Sequence, residues 1–408
     1  MTKLNERSKT EKPVLFNSKI AAPYPIRVAY DGHAFINSDG GTGKGSQLRN
    51  LLGAFRSGFI GLSPLKRVRT RLTTESSKSD PFFIQRGKSK YLIWQQTWLP
   101  LLLAKISPDV FLAPYNTAPL WIPRSTMLVT VVHDLILFEN LIDSPILQRL
   151  IDRYRAMLLR RAIKRSFLIL TVSNFTADQV RRRYPDVSLH VIHCTVGPSW
   201  YVRGSVIPQD KRDGYILIVT NFRAHKNTEN ALRAFAAYRL RDPTSTLRLH
   251  MVGVSRDVKI IHALMKDLGL PGNSVVIEPF LKEEDLQQKY RKALCVIIPS
   301  RMEGFGIPVL EAMASGTPLL CSNAWSLPEV GGAAPLYFDP GDIGEMTQGL
   351  FCLCTNPILR EQLAEKGLTR AEEFHPDRVD LEVKKFWSDL PELHKTWASR
   401  TIRIPELR

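Results

Sequence analysis

The sequence predicts an α/β protein built as two parallel-sheet halves in tandem, and three observations carry that reading. Short β-branched runs alternate with helix-length stretches along most of the 408 residues, the pattern of parallel strands joined by crossover helices. The alternation pauses at the polar segment Gly204 to Gly214 and then begins again, which divides the series in two. Each half also carries a glycine-rich loop between a strand and a helix, where a parallel sheet presents backbone N–H groups to a ligand. At roughly 150 residues per domain the length suits two or three domains. Hydrophobic residues at 44% and charged residues at 23% suit chains that bury a substantial core.

Residues 1–22 are expected to form a basic, flexible tail, and the first domain is expected to span 23–203. Its strands are expected at Ile26 to Tyr30, Val110 to Ala113, Met127 to His133, Phe167 to Ser173 and His190 to Cys194. Helices fill about 46–57, 91–106, 145–165 and 174–184, and 61–90 reads as one strand between loose loops. A linker covers 204–213, and the second domain covers 214–375. Its strands are expected at Tyr215 to Val219, Leu247 to Val252, Val275 to Ile277, Cys295 to Pro299, Pro318 to Cys321 and Pro335 to Phe338. Helices separate them near 228–240, 257–268, 283–292 and 308–315, with two more at 342–354 and 357–373. The segment 376–408 is expected to form a helix that crosses back to the first domain.

Composition narrows the function classes. Five cysteines, an odd number, are too few for a disulfide scaffold and fit a reducing compartment. The N-terminal residues have no apolar core of signal-peptide length. The most apolar stretch of the first half, Tyr91 to Ile106, is broken by Pro100 and is shorter than the roughly 20 residues a spanning helix needs. The expected location is therefore cytoplasmic, with peripheral attachment to the membrane face. Charge is unevenly spread: residues 1–200 carry 29 Lys and Arg against 13 Asp and Glu, leaving 27 against 26 in the remainder. Basic clusters at 66–71, 149–165 and 181–183 point to an anionic membrane surface. In the helix over 145–165, Leu147, Leu150, Ile151, Tyr154, Leu158 and Ala162 form an apolar stripe, with Arg149, Arg153, Arg160 and Lys164 largely off it. Nucleic acid is not an expected partner, because no helix-turn-helix, zinc-finger spacing or RNP-type aromatic motif occurs.

Two loops carry the chemistry. The loop Asp39 to Ser46 fails the P-loop pattern, since Gly43-Lys44 is followed by Gly45, and it fails the dinucleotide fingerprint as well. It remains a loop whose Gly41 and Gly43 let the backbone approach an anion or a sugar. The stretch from Pro299 to Pro318 reads as strand, glycine-rich loop and helix, with Pro308 in the first turn and Gly316 at its end. Glu303 lies in the loop and Glu311 one turn into the helix, while Gly304, Phe305 and Gly306 supply N–H groups at its start. A helix N-terminus suits a diphosphate, and a carboxylate accepts hydrogen bonds from sugar hydroxyls.

With its two glutamates eight positions apart, this stretch resembles the donor-binding signature of the retaining GT-B glycosyltransferases, specifically glycosyltransferase family 4. Ile218 to Asn227 resembles the family segment whose lysine holds the donor diphosphate. Ser326 to Val330 and Phe338 to Asp342 match the turns that follow the signature, and Thr130 to Leu135 and Thr171 to Thr176 resemble the acceptor-domain strands. The family usually has a glycine at Thr220, a proline at Ala224 and an Asn-Gly-Val ending near His193 to Gly197, and this sequence departs from it there.

The resemblance implies a GT-B architecture, two Rossmann-like domains facing across a crevice. It implies that Lys226, helped by Arg223, neutralises the diphosphate, that Glu303 holds the donor sugar and that Glu311 bonds the ribose. His133 would lie at the reacting face, with Asp134 beside it or capping the next turn. The catalytic set is thus His133, Glu303 and Lys226, and the donor-binding set adds Arg223, Gly304, Phe305, Gly306, Glu311, Gly41 and Gly43. No Asp-x-Asp occurs, so neither a metal nor another cofactor is expected beyond the nucleotide diphosphate sugar itself. The reading is a hexosyltransferase, with mannose the favoured sugar, acting on a glycan or lipid-linked acceptor in polysaccharide or glycolipid assembly. A sugar-nucleotide epimerase of similar two-domain shape is the alternative.

Overall fold

The structure, a computed structural model, describes residues 26–31, 51, 59–63, 82–85, 91–139, 146–202, 208, 211–255 and 257–402. The Gly41–Gly43 loop, the expected helix over 46–57 apart from Leu51, and the N-terminal tail lie outside them.

The first sheet contains β1 (Val28–Asp31), β2 (Phe59–Ser63), β3 (Phe82–Gln85), β4 (Val110–Ala113), β5 (Met127–Val132), β6 (Leu168–Thr171) and β7 (Ser188–Val191). Its order is β3-β2-β1-β4-β5-β6-β7, and each pair is parallel. The second contains β8 (Asp213–Val219), β9 (Arg248–Val252), β10 (Val275–Glu278), β11 (Ala293–Ile298), β12 (Leu319–Ser322) and β13 (Leu336–Phe338). It is ordered β10-β9-β8-β11-β12-β13, again parallel throughout. The chain builds outward from β1 or β8, then returns to that strand's other side with β4 or β11. Each sheet therefore has a topological switch point between those two strands, where a ligand crevice opens at their carboxyl ends.

Helices separate the strands. In the first half they are α1 (Leu99–Ile106), α2 (Ile146–Arg165) and α3 (Asn174–Arg183). In the second they are α4 (Thr228–Arg241), α5 (Val258–Asp267), α6 (Glu283–Lys292), α7 (Ile307–Ala314), α8 (Leu327–Gly331), α9 (Ile343–Thr355), α10 (Pro357–Ala371) and α11 (Pro376–Ile402). β5 and β11 are buried at every position, because helices cover both faces of a parallel sheet; this is why β11 reads as an unbroken apolar run and β5 is interrupted only by Thr130. One continuous core joins the halves, with Leu112 and Val129 from the first sheet, Val309 and Ala312 from α7, and Phe386 and Trp387 from α11. Trp387 Nε1 donates to the Leu51 carbonyl at 2.7 Å, so α11 packs on the first half. Burying a ring the size of Phe386 contributes about 3 kcal/mol.

Four expectations need correction. Residues 61–90 were expected to hold one strand, yet two pair there, β2 and β3. The strand expected at His190 to Cys194 is β7, two residues earlier, because its register with β6 pairs Leu168 with Ser188. The helix over 91–106 is interrupted by a π-turn at Trp94–Trp98. Pro100 follows it, and a proline ring displaces the carbonyl one turn earlier, which favours a widened turn. On α2 the apolar stripe splits: Leu158 and Ala162 are buried, whereas Leu150 and Tyr154 are exposed beside Met157.

Candidate active site

The site is built on the switch point of the second sheet, from the loops after β8 and β11. The β8 loop ends in one 3-10 turn, Ala224–Lys226, followed by Asn227 in the left-handed region at φ 54°. Asparagine tolerates that conformation better than most residues, and here its amide is also anchored. Asn227 Nδ2 donates to the Pro340 carbonyl at 2.8 Å, and its Oδ1 accepts from Arg301 Nε at 3.1 Å. Arg301 N donates to the His225 carbonyl at 2.8 Å. These bonds lace the two loops together. Lys226 Nζ thereby reaches Glu303 Oε1 at 2.6 Å, with both side chains largely withdrawn from water.

The β11 loop is held from below. Ser326 Oγ lies 2.8 Å from the Glu303 carbonyl and 3.1 Å from that of Phe305. Gly306 begins α7 at φ 102°, a conformation that strains any side chain, and an added Cβ would lie 2.7 Å from Leu327. The Phe305 ring is buried against Phe374 and beside His193, so only its backbone is left to face the crevice. On α7, Glu311 Oε2 accepts from the Tyr290 hydroxyl at 2.8 Å. Burial raises Glu311 to about 7, although the Tyr290 hydroxyl pulls the other way. His225 is lowered, first by burial and then by neighbouring Lys226.

His133, just past β5, meets this loop from the first sheet. Its N donates to Asn116 Oδ1 at 2.6 Å, and its Nε2 lies 2.7 Å from the Pro114 carbonyl. A carbonyl only accepts, so Nε2 carries the proton and the ring is turned into its own domain. The His133 carbonyl faces the other way: a Cβ on Gly304 would stand 1.8 Å from it. Glycine is thus required at 304 by the approach of the two halves. Asp134 Oδ1 accepts from Ile136 N at 3.2 Å and caps the following turn.

The structure brings Lys226, Glu303, Gly304, Phe305 and Gly306 together at the mouth of the second sheet, with His133 across from Gly304. Glu311 stands one turn behind, and Arg223 is exposed at the start of the 3-10 turn. Gly41 and Gly43 lie outside the described residues. Sequence reasoning missed the residues that hold these in place, Asn116, Asn227, Tyr290, Arg301 and Ser326. Ser326 stood in a recognised turn, but its bonds go to main-chain carbonyls, which no side-chain pattern encodes.

Two parallel sheets, with a charged pair at the switch point of the second, form a GT-B arrangement, and solved structures agree. Sucrose-phosphate synthase from Thermosynechococcus elongatus aligns with a TM-score of 0.68 at 17% identity, covering 90% of this chain and 99% of that one. WaaG, a glycosyltransferase involved in lipopolysaccharide biosynthesis, aligns at 0.66 and 15%, covering 86% and 98%. Residues 66–200 match the family model Glycosyltransferase Family 4, and residues 205–370 match Glycosyl transferases group 1. The chain belongs to the family 4, group 1 glycosyltransferases. Among curated relatives, the O-antigen chain mannosyltransferase B of Escherichia coli is 29% identical over 236 residues, 54% of this chain. The chain spans 60% of that relative's length.

Proposed function

We propose that the chain transfers a hexose, mannose before others, from a nucleotide diphosphate sugar to a glycan or lipid-linked acceptor, with retention at the anomeric carbon. The observation that carries this reading is the Lys226–Glu303 pair at the switch point, with the His133 carbonyl packed against neighbouring Gly304. A leaving diphosphate gains negative charge as the glycosidic bond breaks, and a fixed ammonium stabilises it most at that moment. With donor bound, Lys226 turns from Glu303 to the diphosphate, and Glu303 accepts from the sugar hydroxyls. His133 is assigned to the reacting face of the sugar, with its carbonyl seated on Gly304. Arg223 assists at the diphosphate, the Gly304–Gly306 backbone meets it at the α7 N-terminus, and Glu311 accepts from the ribose.

Mannose is favoured because the curated relative of Escherichia coli is a mannosyltransferase. Incubation with GDP-mannose, UDP-glucose and related donors, read by mass spectrometry, tests the reading. Release of nucleoside diphosphate with sugar on an acceptor supports it, whereas an epimerised donor formed without acceptor supports the epimerase instead. No Asp-x-Asp occurs in the sequence, and charge neutralisation is assigned to Lys226 and the helix dipole. Turnover is accordingly expected to persist in EDTA; loss that Mn²⁺ or Mg²⁺ restores would contradict this.

The partner proposed for the first half is an anionic membrane surface. On α2, Leu150, Tyr154 and Met157 are exposed, and Arg161 and Lys164 continue the same helix face at helical spacing. An exposed apolar stripe running into basic residues fits the boundary between headgroups and acyl chains. Among the described residues no helix is long and apolar enough to cross a membrane.

A further inference from the structure

The N-terminus of α3 is bound from across the crevice by a carboxylate. Glu329, on α8 of the second half, accepts through Oε1 from Asn174 N at 2.7 Å and from Asn174 Nδ2 at 3.0 Å. Its Oε2 accepts from Phe175 N at 2.7 Å. The first N–H groups of a helix have no partner within it, and the helix dipole favours an anion there. α3 already has its own cap, Ser173, whose Oγ accepts from Thr176 N at 3.1 Å. Glu329 adds a second cap supplied by the other half of the molecule.

Both ends of this contact are anchored. Arg370 donates to the main-chain carbonyls of Glu329 and Val330, which fixes the α8 turn in its own half. His193, from the first half, stands with Nε2 3.5 Å from Glu329 and Nδ1 3.5 Å from Glu382 of α11. The rings of Phe305 and Phe374 close the remaining sides of His193. The same α3 terminus grips the donor loop. Ser173 Oγ lies 2.6 Å and Thr176 Oγ1 3.1 Å from the Gly304 carbonyl. One helix end therefore ties down Glu329 and Gly304 together.

We infer that Glu329 is a positioning residue, an interdomain latch that caps α3 and so sets how closely Gly304, and Glu303 beside it, approach His133. It touches neither donor nor reacting atoms. Its effect runs through α3: with the cap made, Gly304 seats beneath the His133 carbonyl, and with it lost, the two halves separate at that point. Its consequence for catalysis rests on the glycosyl-transfer reading, but the latch itself does not.

Two variants, Glu329→Ala and Glu329→Gln, test it in the full chain, each first shown by a cooperative thermal melt to be folded at the assay temperature. Hydrogen exchange at Asn174 and Phe175 is the primary readout and is independent of activity. Glu329→Ala should exchange these amides faster by on the order of tenfold or more, the scale of a lost bond to a charged group. Glu329→Gln, which keeps one acceptor oxygen, should fall between. With a working donor and acceptor, kcat should drop by a similar factor in Glu329→Ala while donor Kd stays unchanged, because the donor loops belong to the second half. Faster exchange in a protein that transfers no sugar keeps the latch and removes the proposed function. Wild-type exchange in both variants overturns the latch, and so does a change in donor Kd without a change in kcat.

Discussion

Lys226 and Glu303 satisfy each other at 2.6 Å, so on the proposed reading the charged pair is assembled before a donor arrives. Removing either member leaves the other poorly paired and, on the proposed reading, takes away a contact that strengthens as the bond breaks. Lys226→Ala and Glu303→Ala should each lower kcat/KM by roughly 10² or more. Steady-state kinetics with the best donor checks this, and near-wild-type turnover in one variant removes that residue from the site. Glu311 answers to pH instead. Burial lifts it to about 7, so its carboxyl takes up a proton within the ordinary working range. A ribose hydroxyl donates best to the ionised form. Donor Kd should therefore weaken as pH falls through about 7, and Glu311→Gln should flatten that dependence in calorimetric titrations. A flat wild-type profile would take Glu311 out of the nucleotide site. His193 supplies a stability counterpart. Burial lowers it, yet the two flanking carboxylates outweigh this and raise it to about 9. A raised histidine contributes stability in full below its ordinary value, and that stability is lost as pH rises through about 9. The melting temperature should fall across that range, and less so in His193→Gln.

The element that decides whether the halves meet is the loop from Glu303 to Gly306. An alanine at 304 would place its Cβ 1.8 Å from the His133 carbonyl, a backbone atom with little freedom to move. The loop and the first half must then part by about an ångström, and misplacement on that scale costs roughly 10²-fold in rate. Gly304→Ala should show that loss in kcat with donor Kd nearly unchanged; wild-type kcat would mean the approach to His133 is not needed. This loop also marks the boundary of what the sequence made legible. Its glycines and glutamates are side-chain signals, and the strands beneath, such as Ala293–Ile298, are apolar at every position because both faces are covered. β2 and β3 were harder, since runs of four or five residues set among Ser, Thr and Lys resemble loop. Glu329 stood in a recognised turn, but its partners are amides of residues 155 and 154 positions away. Main-chain N–H groups are the same in every residue except proline, so nothing in the sequence marks them as partners.

At the scale of the whole molecule, the excess positive charge lies on one half, and on α2 it meets a run of exposed apolar side chains. Residues 1–200 hold nearly all of the net charge of +17. On the proposed membrane partner, the exposed side chains of α2 bear on what that charge is for. Leu150, Tyr154 and Met157 face solvent instead of the core, and they lie in line with Arg161 and Lys164. Arg160 and Arg165 have partners inside the protein, the Phe138 ring and the Pro123 carbonyl, which makes them poorer candidates for lipid contact than Arg153, Arg161 and Lys164. Each basic residue near an anionic leaflet contributes about 1 kcal/mol, fading within a Debye length. On the proposed membrane partner, three such residues with a shallow apolar insertion amount to reversible attachment. The protein should therefore bind anionic vesicles at low salt and leave them as salt rises. Arg153, Arg161 and Lys164 changed together to Ala should weaken binding by on the order of 10²-fold, at about 1 kcal/mol apiece. Leu150→Ser with Tyr154→Ser should reduce the binding that survives high salt, because insertion of apolar groups is not screened. Donor turnover on a soluble acceptor should change little in either variant, since the loops proposed to bind the donor lie in the other half. Vesicle co-sedimentation across a salt series reads all of this. A wild-type protein that ignores anionic vesicles at low salt would assign the basic half to a soluble acidic acceptor.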